Sequence, residues 1–142
     1  MRTLTSLIAL LCSLVLHQTE ALAQTVYHVD MKLEGMIDPG VSAFVERVIE
    51  DAEANEVDAI VFEIDTFGGR VDAATVIRDA ILDSEALTIA FVNKRAISAG
   101  ALISLACDKI VMAQAATIGA TTPVDGSGTK ASDKVTSYMR AE

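Results

Sequence analysis

Ala59-Ile60-Val61-Phe62-Glu63-Ile64-Asp65 is a short, largely apolar run of strand length that stops abruptly at Thr66-Phe67-Gly68-Gly69. After it, Val71, Ala74, Ile77 and Ile81 recur at helical spacing and predict a helix from Val71 to Ser84 that buries those four. Before it, Asp38-Pro39-Gly40 opens another helix: Asp38 can cap, and Pro39 suits the first turn, where its missing N–H costs nothing. Val41, Phe44, Val45, Val48, Ile49 and Ala52 form one apolar stripe on that helix, and Glu46, Glu50, Asp51 and Glu53 occupy the rest of its surface. Further out, Val26 to Leu33 alternates as a first strand with His28 on its polar side. Leu87 to Val92 reads as the next strand, Asn93 to Ile97 as a loop, Ala99 to Ala106 as a small-residue helix, and Ile110 to Ala113 as another strand. The order predicts an α/β domain of repeated strand–helix units with a mostly parallel sheet. A last helix, which Ser132 can cap, follows the loop Gly126-Ser127-Gly128.

The N-terminus follows a different logic. Arg2 precedes an apolar run from Leu7 to Leu16, then polar His17-Gln18-Thr19-Glu20 and the small residues of Ala21-Leu22-Ala23. This is the layout of a secretory signal peptide, residues 1–23, with cleavage expected between Ala23 and Gln24. The run is shorter than the ~20 residues of a membrane-spanning helix, which favours cleavage over a retained anchor. Residues 24–142 then form one domain. Arg2 and Glu20 cancel, so that domain keeps the full net charge of -9, which argues against nucleic acid as a partner. Cys107 is the one cysteine outside the leader, and its place in the apolar run Leu102 to Cys107 predicts a buried structural thiol. Neither G-x-G-x-x-G nor a G-K-[ST] ending occurs, and no cofactor or metal site is expected. Glu142 falls within a helix still in progress, so the domain is read as C-terminally incomplete.

In parallel α/β sheets, sites gather at the carboxyl ends of the strands. Two loops there carry suitable chemistry. In Asp65-Thr66-Phe67-Gly68-Gly69-Arg70, paired glycines serve equally as a plain strand-to-helix turn or as backbone N–H donors close to a ligand. In Lys94-Arg95-Ala96-Ile97-Ser98-Ala99-Gly100-Ala101, Ser98 stands at a helix N-terminus, either as an ordinary cap or as a nucleophile beside free N–H groups. A serine nucleophile needs a base. His28, alone beyond the leader, reads as structural, which leaves a lysine kept neutral by apolar neighbours. Lys134, beside Val135, Tyr138 and Met139, suits that role or is simply a surface charge; Lys130 sits in a polar loop and reads as solvated.

V-D-M-K-L-E-G-M-I-D-P-G (29–40), F-E-I-D-T-F-G-G-R-V-D-A-A (62–74), N-K-R-A-I-S-A-G-A-L-I-S-L-A-C-D (93–108) and A-T-I-G-A-T-T-P-V (116–124) together resemble the NfeD family of membrane-bound serine proteases. That family is related to the Clp protease and to signal peptide peptidase A, and the resemblance runs from Val26 to Glu142. It implies a ClpP/crotonase-like fold and a serine endopeptidase with a Ser-Lys dyad. Ser98 of the S-A-G segment is then the nucleophile and Lys134 the general base, with the oxyanion hole at Gly68, Gly69 and the Ala99 amide. The resemblance further implies a hydrophobic substrate segment, such as the tail of a stomatin-like membrane protein, and a homodimer. It also implies transmembrane helices and a small β-barrel domain that this chain lacks. The site would lie in the periplasm or on the outer face of the membrane, in a full-length form that is membrane-anchored. One departure is Phe67, where the family usually has proline; it bears on the pitch and filling of the groove and leaves the backbone donors in place.

Two other readings remain at this point. One is a catalytically inactive module on the same fold that binds a partner's extended strand in membrane protein quality control. The other is a crotonase-type acyl-CoA enzyme with a similar oxyanion hole, which the export signal disfavours because coenzyme A is expected inside the cell.

Overall fold

Five parallel strands and three helices alternate along the described residues of the computed structural model, which are 24–31, 36–122, 129–134 and 136–137. The predicted signal peptide and the Gly126-Ser127-Gly128 loop lie outside them. The elements are β1 (Val26–Met31), α1 (Pro39–Ala54), β2 (Ala59–Thr66), α2 (Val71–Asp83), β3 (Leu87–Ile97), α3 (Ala99–Ala106), β4 (Lys109–Met112) and β5 (Thr117–Gly119). The sheet order is β1-β2-β3-β4, and β5 pairs with the later part of β3. Every pairing is parallel, the expected α/β arrangement.

Parallel neighbours need a crossover, and right-handed crossovers between strands added in one direction put every helix on the same face of the sheet. Accordingly α1 packs on α2, and α2 on α3. Ile60, Phe62 and Ile64 of β2, with Ala90 and Val92 of β3, are fully buried beneath these helices. Each large side chain among them contributes about 1.5–3 kcal/mol by leaving water. The alternate residues Val61, Ile89 and Phe91 are only half-buried, and Val26 and Val111 are exposed, so the opposite face of the sheet has no helix over it among the described residues.

Asp38 caps α1 as expected, its Oδ1 accepting from the Gly40 and Val41 amides at 2.9 and 3.0 Å. Most of the predicted apolar stripe faces inward: Val45, Ile49 and Ala52 are buried, and Val41 and Val48 pack against the core. Phe44 does not, at 44% exposed. It overhangs β1, the last strand on that side, where no further neighbour covers it among the described residues. On α2, Ala73 is buried and Val71 only half-buried.

The predicted loop Asn93 to Ile97 is strand instead. Arg95, Ala96 and Ile97 pair with Thr117, Ile118 and Gly119, a partner too short and too distant to announce itself in the sequence. Between the Ile64–Val92 and Thr66–Ala96 pairs, β2 advances two residues (64 to 66) and β3 four (92 to 96). The two extra residues bulge out of β3 around Lys94 and Arg95.

Candidate functional site

The carboxyl ends of β2 and β3 bring the two candidate loops into contact. The turn after β2 is built on two glycines with different tasks. Gly68 has φ +111°, and a Cβ there would stand 2.7 Å from Ser98 Cβ, 3.0 Å from the Ile97 carbonyl oxygen and 3.2 Å from the Ala99 nitrogen. Gly69 lies flat against Ile37, and a Cβ would collide with that residue's backbone. The Ile37 amide donates to the Gly68 carbonyl at 2.9 Å, and the Arg70 amide to the Ile37 carbonyl at 2.8 Å. This bridge leaves the Gly69 amide out. The Gly68 amide is engaged, donating to the buried Thr66 Oγ1 at 3.0 Å.

Ser98 joins β3 to α3 at φ 54°, ψ -113°, a conformation that costs a non-glycine residue on the order of 1–3 kcal/mol. The surroundings hold it there. Its amide donates to the Gly119 carbonyl of β5 at 2.8 Å, and its carbonyl accepts from the Ala101 and Leu102 amides at 3.0 and 3.2 Å. Although Ser98 occupies the cap position of α3, its side chain makes no capping hydrogen bond. A strained strand-to-helix turn of this kind lifts a side chain out of the sheet edge. Ala99 follows as the first residue of α3, where an N–H has no intrahelical acceptor. The small residues after Ser98 let α3 sit close: a Cβ on Gly100 would come 2.6 Å from Thr66 Cγ2.

Gly68, Gly69, Ser98 and Ala99 are therefore neighbours. Lys134 is not joined to them by any hydrogen bond or ion pair with a described residue, and it is exposed in a short helical turn. Val135, Tyr138 and Met139, expected to desolvate it, lie outside the described side chains. Lys130 is exposed and stands 3.9 Å from Asp133. His28 lies away from Ser98, on the open face of the sheet. Its Nε2 is 3.1 Å from Glu63 Oε2, and Glu63 Oε1 accepts from Asn93 Nδ2 at 2.6 Å. Cys107 is buried in the core, and desolvation, followed by the Asp108 charge, pushes its thiol up to about 12.

A second set of residues comes together in a way the sequence did not announce. The Arg95 guanidinium lies 4.5 Å from the Phe67 ring centroid, and its Nε is 2.9 Å from Asp65 Oδ1. Lys94 Nζ is 3.7 Å from Asp65 Oδ2. Regular strands send consecutive side chains to opposite faces, so only the bulge in β3 lets both cations reach one carboxylate. Phe67, Arg95, Ile97 and Thr117 border an open pocket of about 520 Å³, which Ile97 and Phe67 connect along the chain to Ser98 and Gly68.

Residues 25–142 match the family described as NfeD1b, N-terminal domain. The membrane protein NfeD1b of Bacillus subtilis is 41% identical over 119 residues, covering 84% of this chain and 27% of that protein. The membrane-bound protease PH1510 of Pyrococcus horikoshii is 34% identical over 128 residues, covering 84% of this chain and 29% of its own length. The chain thus spans little more than a quarter of these relatives. Two solved structures of 1510-N, a membrane-bound stomatin-specific protease, superpose with TM-scores of 0.74 and 0.75 at 34% and 32% identity. They cover 84% of this chain and 61% and 57% of theirs; one is a serine-to-alanine variant, the other a lysine-to-alanine variant in complex with a substrate peptide. ClpP1 from Listeria monocytogenes (TM-score 0.61, 20% identity, 81% of this chain and 65% of that one) and an enoyl-CoA hydratase/isomerase family member (0.58, 20%, 70% and 48%) share the fold. The fold is ClpP/crotonase-like, and the chain belongs to the NfeD1b N-terminal domain family.

Proposed function

We propose that residues 24–142 are the serine endopeptidase domain of an exported, membrane-associated protease, with residues 1–23 as its signal peptide. Ser98 is the nucleophile, Lys134 the general base, and the Gly69 and Ala99 amides the oxyanion donors. The observation that carries this reading is Ser98 itself: a strained turn residue with no capping bond, set against Gly68 and the start of α3. Relatives named as proteases support it, as do solved relatives in which a serine or a lysine has been replaced.

In this mechanism neutral Lys134 accepts the Ser98 proton as Oγ attacks the scissile carbonyl. The Gly69 and Ala99 N–H groups stabilise the oxyanion, and protonated Lys134 then gives its proton to the leaving amine. Lys134 next takes a proton from a water that attacks the acyl-enzyme ester, and returns it to Ser98 Oγ as that oxygen departs, releasing the carboxylic product. Gly68 supplies room beside Ser98 instead of a donor, since its amide is bonded to Thr66. Because Lys134 is exposed, bound substrate or a second copy of the chain must exclude water from it to keep it neutral. The substrate is an apolar polypeptide segment of a membrane-associated protein, with a stomatin-like protein as the expected partner and a homodimer as the working form.

Cleavage of apolar peptides by the native chain, Ser98→Ala and Lys134→Ala tests the dyad. Each substitution should cost at least about a thousandfold in turnover. Equal cleavage by all three would sink it. The exposure of Lys134 favours one other reading, a module that binds extended peptide without cutting it, and binding without turnover by the native chain would select that.

A further inference from the structure

We infer that the pocket bordered by Phe67 and Ile97, the residues preceding Gly68 and Ser98, receives a carboxylate carried by the substrate polypeptide, with Lys94 and Arg95 as its cationic wall and Phe67 as its apolar one. The inference rests on Ser98 being the reacting group and adds a substrate class to that reading. The bulge in β3 turns two consecutive cations toward the same carboxylate, Asp65. Asp65 lies behind them, its side chain 16% exposed against 63% for Lys94 and 35% for Arg95. One carboxylate thus faces two cations, and one positive charge is left over at the mouth of the pocket.

The other bordering side chains, among them Ile97, Gln114 and Thr117, are uncharged, and no acidic residue lines the pocket among the described residues. On a chain of net charge -9, this is a local reversal of sign. Arg95 spends Nε on Asp65 and sits over the Phe67 ring, which leaves its Nη groups as donors. Phe67 is 73% exposed and offers its other surface to the stem of an entering side chain. About 520 Å³ is within the range of pockets that hold small ligands, so one side chain fits easily. An apolar segment with a glutamate close to the scissile bond matches these features, and so does a polypeptide ending in its own carboxylate just past that bond.

The test uses the full chain as Ser98→Ala, so that binding is read without turnover. Three labelled apolar peptides are compared by fluorescence anisotropy. One has an internal glutamate, moved through the positions flanking the central bond, and an amidated end. The second has glutamine in its place, and the third is the glutamine peptide with a free terminal carboxylate. At low salt a carboxylate-bearing peptide should bind about five- to tenfold more tightly than the amidated glutamine peptide. The preference should shrink at high salt, where exposed charges are screened. Adding Lys94→Gln, at an exposed position, should bring the ratio to within about twofold. Preference for the first peptide assigns the pocket to a side chain, and preference for the third assigns it to a chain end. Equal binding of all three, or a preference untouched by Lys94→Gln and by salt, overturns the inference. Cleavage assays on the native chain separate the two claims. Turnover with no carboxylate preference removes the pocket and keeps the catalytic reading, whereas binding preference without any turnover does the reverse.

Discussion

A methyl group at Gly68 has nowhere to go: Ser98 Cβ is 2.7 Å from its position, and the backbone already sits at φ +111°. Gly68→Ala therefore combines backbone strain with a clash and should cost about 2–4 kcal/mol, read as a drop of many degrees in the thermal melt. An unchanged melting temperature would show that Ser98 and Gly68 are not packed as described. Cys107 makes the opposite kind of prediction. Burial pushes its thiol up to about 12, so at pH 8 only about one part in ten thousand is thiolate. Iodoacetamide should leave Cys107 unmodified in the folded chain and label it in denaturant, read by peptide mapping. The same shift fixes a sign. A thiol raised above its unfolded value of 9.0 adds stability that is fully present below that pH and is lost as pH climbs toward 12. At this scale the sequence singled out Gly68, Gly69, Ser98 and Cys107, and the structure sets Gly68 against Ser98 and buries Cys107. It could not say that Gly68 provides space where Gly69 leaves an amide over, because Thr66 Oγ1 and the Ile37 bridge decide that.

Elements are held at their ends by a few side chains. Asp38 satisfies two donors at the start of α1, and Asp38→Ala should cost about 1 kcal/mol, measurable by chemical denaturation. Asp108 ties the start of β4 to the start of β3, accepting from the Thr88 amide and hydroxyl, both at 2.8 Å. Thr88 is buried, so Asp108→Ala strands two donors and should cost about 1–3 kcal/mol. The Thr88 amide bond, then its hydroxyl bond, lower the Asp108 carboxyl below its unfolded value of 3.8. Its contribution is present above that value and is lost as pH falls through the lower folded one, so the variant should show a shallower acid limb in its stability profile. The start of α1 and both ends of α2 and α3 were readable to within a residue because caps and periodicity are local. The length of β3 was not, because Asn93 to Ile97 becomes strand only by pairing with β5 and Thr66.

Across the whole molecule, strand order sets what is protected. β2 pairs with β1 on one side and β3 on the other, whereas β4 pairs, among the described residues, with β3 alone and is exposed at all four residues. Hydrogen exchange should be slowest at Ile60 to Ile64 and clearly faster in β4. Slow exchange in β4 would mean that its outer edge is covered in solution. Apolar periodicity and the Asp38 cap were enough to predict an α/β domain, because those features depend only on neighbours in the chain; local pattern left Ser98 a cap or a nucleophile, and the resemblance of the motifs singled it out. Tertiary structure alone decided which residues meet. Placing α1, α2 and α3 on one face leaves the other face of the sheet without a helix among the described residues, and the β3 bulge aims Lys94 and Arg95 at Asp65 beside Phe67. These outcomes depend on register and crossover geometry between segments far apart in sequence, and no local pattern of residues encodes them.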